Sequence, residues 1–193
     1  MSAPDPIDRF CELLEQARTA EAHDATAVTL ATADPEGRPA ARMVLLKGAD
    51  QRGFTFFTNY GSRKASDLTR NPRAALCFYW PGMYTQVRVE GEVSRVSEAE
   101  SDDYFASRPR GHQLAAWASR QSARLENRRD LLQSYEKVEA RFGDRPIGRP
   151  PYWGGYRLWP LAIEFWHGFE NRLHDRLLYK RDREGWSCDR LHP

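Results

Sequence analysis

The amino-acid sequence predicts a mixed α+β fold that is mainly β: a small antiparallel barrel with flanking helices. Three observations support this prediction. Strand-like segments outnumber helical ones, the turns between them are short, and a block of helical pattern divides the strands into two sets. With 193 residues, the chain can bury a sizeable core without disulfides or structural metals.

Nine segments carry the alternating or β-branched pattern that is typical of strands. The first three are joined by the turn sequences D-P-E-G and D-Q-R-G, and we expect them to form an antiparallel meander. The predicted strands cover residues 25–33, 39–47, 54–58, 74–80, 86–96, 156–159, 163–166, 173–180 and 186–191.

Helical patterns occupy the start of the chain and the block between the two strand sets. Asp5 can cap the first helix, with Pro6 at its first position, and Ser62 and Ser97 can cap the next two. The predicted helices cover residues 5–18, 62–69, 97–107, 114–118 and 122–142.

These elements divide the chain into an N-terminal helical segment at 1–24 and a single barrel domain at 25–193, with a helical insert at about 97–142.

Lys and Arg number 29 and Asp and Glu 27, and the resulting charge of +2 argues against a polycation that binds nucleic acid. The three cysteines are far apart and include no C-x-x-C, which predicts neither a disulfide framework nor a metal site. No apolar stretch approaches the ~20 residues that span a bilayer, and the start lacks the pattern of a signal peptide. We therefore expect a cytoplasmic protein without a membrane partner.

Four groups of polar residues could bind an anion, although each could also be a set of solvated charges. The first group is Arg42 with Lys47, at the ends of an apolar strand segment. The second is Ser62 with Arg63 and Lys64 at a helix start, and the third is Tyr104 with Arg108 and His112 at a helix end. The fourth is Arg172, His174 and Arg176, which would share one face of a strand. Such cations suit phosphorylated ligands. The sequence offers no nucleophile–base pair and no paired carboxylates, so an enzyme built on these residues needs a cofactor to supply the chemistry.

Seven motifs occur in one order along the chain: R-M-V-L-L-K, F-F-T-N-Y-G-S-R-K, Y-F-x-S-R-P-R, S-R-Q-S, W-G-G-Y, E-F-W and R-L-H-D-R. Together with the terminal D-R-L-x-P, they closely resemble the pyridoxine/pyridoxamine 5′-phosphate oxidase family from about residue 25 to the end of the chain. One such motif would be weak, whereas seven in register are specific. The resemblance implies an FMN-binding split β-barrel that works as a homodimer, with FMN at the interface.

The resemblance also implies which residues bind the cofactor and the substrate. The implied FMN-binding residues are Arg42, Met43, Val44, Leu45, Leu46, Lys47, Phe57, Thr58, Arg63, Lys64, Gln86, Gln121, Ser122, Trp166 and Arg176. The implied substrate-binding residues are Lys47, Tyr104, Arg108, His112, Arg172, Leu173 and His174. Among these, Arg172 and His174 are implied to act in catalysis, and Gln121 and Ser122 to reach FMN from the other subunit.

The implied reaction oxidises pyridoxine 5′-phosphate or pyridoxamine 5′-phosphate to pyridoxal 5′-phosphate in vitamin B6 metabolism. A hydride would pass from the substrate C4′ to flavin N5, and O2 would reoxidise the flavin and yield hydrogen peroxide. Two alternatives stay open: a related FMN oxidase of the phenazine-biosynthesis type, and a non-enzymatic flavin- or nucleic-acid-binding module.

One position departs from the family pattern, because His112 stands where the family usually has a phosphate-binding serine.

Overall fold

The predicted mixed α+β class is confirmed. The computed structural model describes residues 5–193, and in this range nine strands and five α-helices form a curled antiparallel half-barrel with flanking helices. The strands are β1 (Ala27–Ala33), β2 (Pro39–Leu45), β3 (Gly48–Asp50), β4 (Gly53–Asn59), β5 (Arg73–Trp80), β6 (Thr85–Arg95), β7 (Trp153–His167), β8 (Asp175–Asp182) and β9 (Gly185–Leu191). The helices are α1 (Pro6–Ala20), α2 (Arg63–Arg70), α3 (Glu98–Ser107), α4 (Arg110–Ala118) and α5 (Arg128–Phe142).

The predicted N-terminal segment at 1–24 begins in residues 1–4, which lie outside the described residues. Its helix α1 is capped as expected, since the Asp5 side chain accepts a hydrogen bond from the Ile7 N–H and Pro6 occupies the first turn. Within residues 5–193, no helix is both long and apolar enough to cross a bilayer.

The sheet has the order β2-β1-β5-β6-β7-β4-β3, and β8 and β9 extend from the second half of β7. The expected meander of the first three predicted strands is wrong, because β4 pairs with β3 and β7 and does not pair with β2. Local turn signals cannot show this, since the pairing partner of β4 lies about a hundred residues further along the chain.

The long strand β7 organises the sheet. The sequence predicts two short strands here, at 156–159 and 163–166, but the chain runs as one strand through Pro160. Proline is tolerated because β4 pairs with β7 up to Leu158 and β8 begins to pair at Ala162, so the position lies between the two partners on that edge. On the other edge, the register with β6 shifts between Glu90 and Gly91, which leaves one extra residue on β7.

The core lies between the sheet and α1. Phe10 of α1 is fully buried, and its ring centroid lies 4.9 Å from those of Phe54 and Phe78 and 6.0 Å from that of Trp80. Burial of such aromatic side chains supplies much of the stability of a small core. A second cluster, centred on Phe105 and Trp153, packs the helices α3 and α4 against the start of β7.

The predicted helix at 122–142 begins later than expected. Helix α5 starts at Arg128, because the Asn127 side chain caps it by accepting a hydrogen bond from the Asp130 N–H. Ser122 has a φ of 71°, in the left-handed region, so it belongs to the loop between α4 and α5. This loop is where the S-R-Q-S motif lies.

Candidate functional site

A cluster of cations forms where α2 meets the sheet. Ser62 caps α2, since its Oγ accepts a hydrogen bond from the Ala65 N–H, and this places Arg63 and Lys64 in the first turn. The predicted capping role of Ser62 is therefore confirmed. The positive end of the helix dipole and the two side chains together favour an anion at this point.

Lys64 is the central member of this cluster. It is buried, and its Nζ donates hydrogen bonds only to neutral oxygens: Thr58 Oγ1 at 3.1 Å, Ser62 Oγ at 3.4 Å and Gln121 Oε1 at 2.8 Å. Burial, with a smaller contribution from the nearby positive charge of Arg42, lowers the pKa of the Lys64 ammonium to about 8. Among residues 5–193, no carboxylate lies within salt-bridge distance of this ammonium group. A bound anion would supply the missing counter-charge.

Arg42 reaches the same cluster from β2. As the alternation of R-M-V-L-L-K predicts, Arg42 and Val44 are partly buried whereas Met43 and Leu45 are exposed, and Leu46 after the strand is buried. Burial lowers the pKa of the Arg42 guanidinium and the charge of Arg63 adds to this effect, while Asp67 opposes it.

A cavity of about 390 Å³ adjoins the cluster and shares Thr58 and Gln121 with it. Its wall includes an aromatic stack, in which the Tyr104 and Phe57 rings lie 4.0 Å apart and the Phe57 and Trp153 rings 5.5 Å apart. The structure brings four predicted substrate residues into this cavity: Lys47, Tyr104, Arg108 and His112.

Arg108 is the second cation without a matching anion. Its guanidinium lies 4.7 Å from the centre of the Trp153 ring, and its Nη1 is buried without a hydrogen-bond partner among the described residues. Burial lowers the pKa of this guanidinium, and burial likewise raises the pKa of the neighbouring Tyr104 hydroxyl. A buried N–H without a partner is rare in proteins, and Arg108 lines a cavity that can admit an anionic ligand.

A third group of predicted residues forms one row across three strands. Gln86 of β6 pairs with Trp166 of β7, which pairs with Arg176 of β8, so the three side chains lie on one face of the sheet. Arg176 is fixed by the buried Glu164, with its Nε 3.0 Å from Oε1 and its Nη2 3.2 Å from Oε2.

Arg172, Leu173 and His174 precede this row in a turn. The expectation that Arg172, His174 and Arg176 share a strand face is wrong, because β8 begins only at Asp175. Arg172 has a φ of 61° and its neighbour Asn171 a φ of 54°, and such left-handed backbone in non-glycine residues tends to be found at functional sites. Leu173 is 70% exposed.

The hydrogen bonding of His174 defines its tautomer. The Phe169 N–H donates to His174 Nδ1 at 3.1 Å, so the neutral imidazole carries its proton on Nε2. Its ring centroid lies 4.6 Å from that of Trp166, which connects the turn to the row on the sheet.

The cavity and the row lie at opposite ends of β7. Thr58 pairs with Gly154 near the start of the strand and Trp166 lies near its end, and the twelve residue steps from Gly154 to Trp166 span roughly 40 Å of extended chain. None of the row or turn residues is among the described residues that line the cavity. The predicted site residues therefore form two separate groups within one chain.

Gln121 contacts Thr58 and Lys64 of its own chain, while its implied role at the FMN of the other subunit stays a prediction. Sequence reasoning also missed Trp153, Glu164, Asp67 and Thr32 as parts of these clusters. The only available signal was the i,i+3 spacing of Lys64 and Asp67 on α2, because the other contacts join residues that are distant in sequence.

Comparisons with known proteins point to one enzyme family. Residues 14–142 match the family described as pyridoxamine 5′-phosphate oxidase, and residues 153–193 match the pyridoxine 5′-phosphate oxidase C-terminal dimerisation region. A curated pyridoxine/pyridoxamine 5′-phosphate oxidase of Rubrobacter xylanophilus is 57% identical, covering 98% of this chain and 88% of the relative. The enzyme of that name from Anaeromyxobacter dehalogenans is 56% identical, covering 100% of this chain and 97% of the relative.

Two solved structures resemble the whole chain. PhzG from Burkholderia lata, in complex with tetrahydrophenazine-1-carboxylic acid, has a TM-score of 0.92 and is 33% identical, covering 99% of this chain and 94% of its own. A pyridoxamine 5′-phosphate oxidase-related, FMN-binding protein from Nostoc punctiforme has a TM-score of 0.80, with both chains fully covered. At 22% identity, this second likeness shows the fold alone.

The unpartnered guanidinium of Arg108 predicts a gain in stability when it is removed. Arg108→Met retains contact with the Trp153 ring but eliminates a buried donor that costs about 1–3 kcal/mol when unsatisfied. We expect the ligand-free protein to melt a few degrees higher by calorimetry in a buffer without phosphate or sulfate. Arg110→Met is the matched control, because Arg110 donates to the carbonyl oxygens of Gly143 and Arg145 and its loss should not stabilise. Equal destabilisation by both variants would contradict the prediction.

Proposed function

The chain belongs to the pyridoxamine 5′-phosphate oxidase family, and we propose that it oxidises pyridoxine 5′-phosphate or pyridoxamine 5′-phosphate to pyridoxal 5′-phosphate with FMN as cofactor. One observation carries this proposal. Among the described residues, Lys64 and Arg108 have no anionic partner, and they lie in adjoining pockets that share Thr58 and Gln121. A cofactor and a substrate that each bear a phosphate would satisfy both.

The residues of the α2 cluster fit the phosphate of FMN. Arg42, Arg63 and Lys64 supply positive charge, and the first turn of α2 supplies backbone N–H groups. When bound, FMN would accept a hydride at N5 from the substrate C4′ and pass the electrons to O2, which gives hydrogen peroxide. The other proposed flavin contacts come from two subunits. The subunit that holds the phosphate supplies Met43, Val44, Leu45, Leu46, Lys47, Phe57, Thr58, Gln121 and Ser122. The second subunit supplies Gln86, Trp166 and Arg176.

The cavity residues would hold the substrate by its phosphate. Lys47 and Arg108 would supply charge, while Tyr104 and His112 would supply hydrogen bonds. Two anchored phosphates would fix the substrate ring against the flavin and remove most of the entropic cost of bringing the reacting atoms together.

A second subunit completes the site in this proposal. The row of Gln86, Trp166 and Arg176 lies too far along β7 to reach the cavity of its own chain, and β7 to β9 fall in the region matched by the dimerisation family. A twofold dimer would bring the row and the turn of one subunit to the cavity of the other, twice.

His174 would act on the substrate as a hydrogen-bond donor. Because Nδ1 already accepts from the Phe169 N–H, the neutral ring offers Nε2–H to a bound substrate. In this orientation the imidazole positions the substrate and does not remove a proton. Arg172, in the same turn, would add the positive charge that stabilises developing negative charge on the substrate ring.

A second candidate is an FMN oxidase of the phenazine-biosynthesis type. It is favoured by the similarity to PhzG, whose structure holds tetrahydrophenazine-1-carboxylic acid, and His112, which replaces the usual serine of the family, leaves room for it. The higher identity to the curated pyridoxine/pyridoxamine 5′-phosphate oxidases favours the first candidate.

The proposed reaction is tested by the visible spectrum of the FMN-loaded protein without oxygen. Addition of pyridoxine 5′-phosphate or pyridoxamine 5′-phosphate should bleach the oxidised flavin bands, and admission of O2 should restore them with release of hydrogen peroxide. Pyridoxine without its phosphate is the matched control and should bleach the bands far more slowly, since the anchor at Arg108 is then unused. Bleaching by tetrahydrophenazine-1-carboxylic acid alone would transfer the proposal to the second candidate.

The shared site predicts complementation between inactive subunits. Co-expressed Arg108→Ala and Arg172→Ala chains should recover about one quarter of wild-type sites, because half of the randomly formed dimers are mixed and each mixed dimer contains one intact site. Co-expressed Arg108→Ala and Tyr104→Ala chains should recover no activity, because both residues lie in the same cavity. Equal recovery in the two mixtures would show that the site is not shared between subunits.

His112 predicts a change in substrate affinity. It lines the cavity beside Arg108, so His112→Ser should alter KM for pyridoxine 5′-phosphate several-fold and kcat by less than about twofold. Steady-state kinetics from pH 6 to 9 measures both constants. A large loss of kcat at unchanged KM would mean that His112 contributes to the chemical step.

A further inference from the structure

Asp67 is a buried carboxylate that the proposed mechanism does not use. It lies on α2, one turn after Lys64, and only 3% of its surface is exposed. A buried carboxylate beside a phosphate site would repel the ligand unless another role compensates for its charge. Its contacts indicate what that role is.

The Asp67 carboxylate connects to Arg42 through one hydroxyl group. Thr32 of β1 donates from Oγ1 to Asp67 Oδ2 at 2.8 Å, and Arg42 Nη1 donates to the same Thr32 oxygen at 2.8 Å. The directions of these bonds are fixed, since a guanidinium can only donate and a carboxylate can only accept. Arg42 Nη1 also donates to the Leu30 carbonyl, and its Nη2 lies 3.8 Å from Asp67 Oδ2.

These contacts restrain one edge of the guanidinium against β1 and α2. Arg42 nevertheless belongs to the cation cluster, because the charge of Arg63 acts on Arg42 and the charge of Arg42 acts on Lys64. With one negative and three positive side chains, the cluster carries a formal charge of +2 when Lys64 is protonated. This matches a phosphate monoester, which carries about −1.5 to −2 at pH 7.

We infer that Asp67, acting through Thr32, is a positioning residue that holds the Arg42 guanidinium at the cofactor phosphate site and sets the charge of that site. This inference rests on the proposed use of FMN. It requires that the contribution of Asp67 to FMN affinity depend on the presence of Arg42 and on the phosphate of FMN.

The test compares FMN with riboflavin, which lacks the phosphate. Dissociation constants are measured by quenching of flavin fluorescence on the apoprotein. Asp67→Asn should weaken FMN binding roughly three- to tenfold, because the charge that restrains Arg42 is lost, while riboflavin binding stays within about twofold. Thr32→Val should act in the same direction, and Thr32→Ser, which keeps the hydroxyl, should bind FMN like the wild type.

The Arg42→Ala background gives the decisive measurement. Without Arg42, Asp67 only repels the phosphate, so Asp67→Asn should now strengthen FMN binding. This reversal of sign is not expected of a residue that merely stabilises the fold. Equal weakening of FMN and riboflavin by Asp67→Asn, an unchanged FMN affinity, or a gain in FMN affinity in the wild-type background would overturn the inference. If the wild type binds FMN no better than riboflavin, the proposed cofactor site itself is refuted.

Discussion

The pairing of the single strand β7 with three other strands is the constraint on which the rest of the structure depends. This fifteen-residue strand pairs with β6 along one edge and with β4 and then β8 along the other. Pro160 interrupts neither β4 nor β8, because it lies between the segments of β7 that pair with them. On the opposite edge, the register with β6 shifts at Gly91. A β-carbon at Gly91 would lie 1.9 Å from the Trp159 carbonyl oxygen, so the close approach of β6 and β7 at this bulge requires glycine.

The same strand separates the functional residues. Its first end carries Trp153, which supports Arg108 and the aromatic stack, and its last end carries Trp166, which contacts His174. Since one ligand cannot reach both ends in a single chain, the active assembly in our proposal is a dimer. Each end of the strand would then serve a different site.

In the cavity region, two cationic side chains are buried without an ion-pair partner among the described residues. Lys64 and Arg108 are desolvated, and the oxygens around Lys64 are neutral. Two buried carboxylates hold neighbouring arginines: Glu164 fixes Arg176, and Asp67 lies behind Arg42. In our proposal, Lys64 and Arg108 face the ligands without an anionic partner among the described residues, whereas buried carboxylates hold Arg42 and Arg176. Such sites lower the stability of the empty protein and are prepared for anionic groups.

The sequence by itself determined the fold class, the positions of most strands and helices, and the caps of α1 and α2, because these follow from local periodicity and from side chains that bond to their own backbone. Its motifs also identified the family and the list of candidate residues. Only the tertiary structure decided that β4 pairs with β7, that β7 continues through Pro160, and that Asp67, Thr32 and Arg42 meet. These features depend on contacts between residues far apart in the chain, whose free energy is gained only when the whole sheet closes, and no local pattern records them.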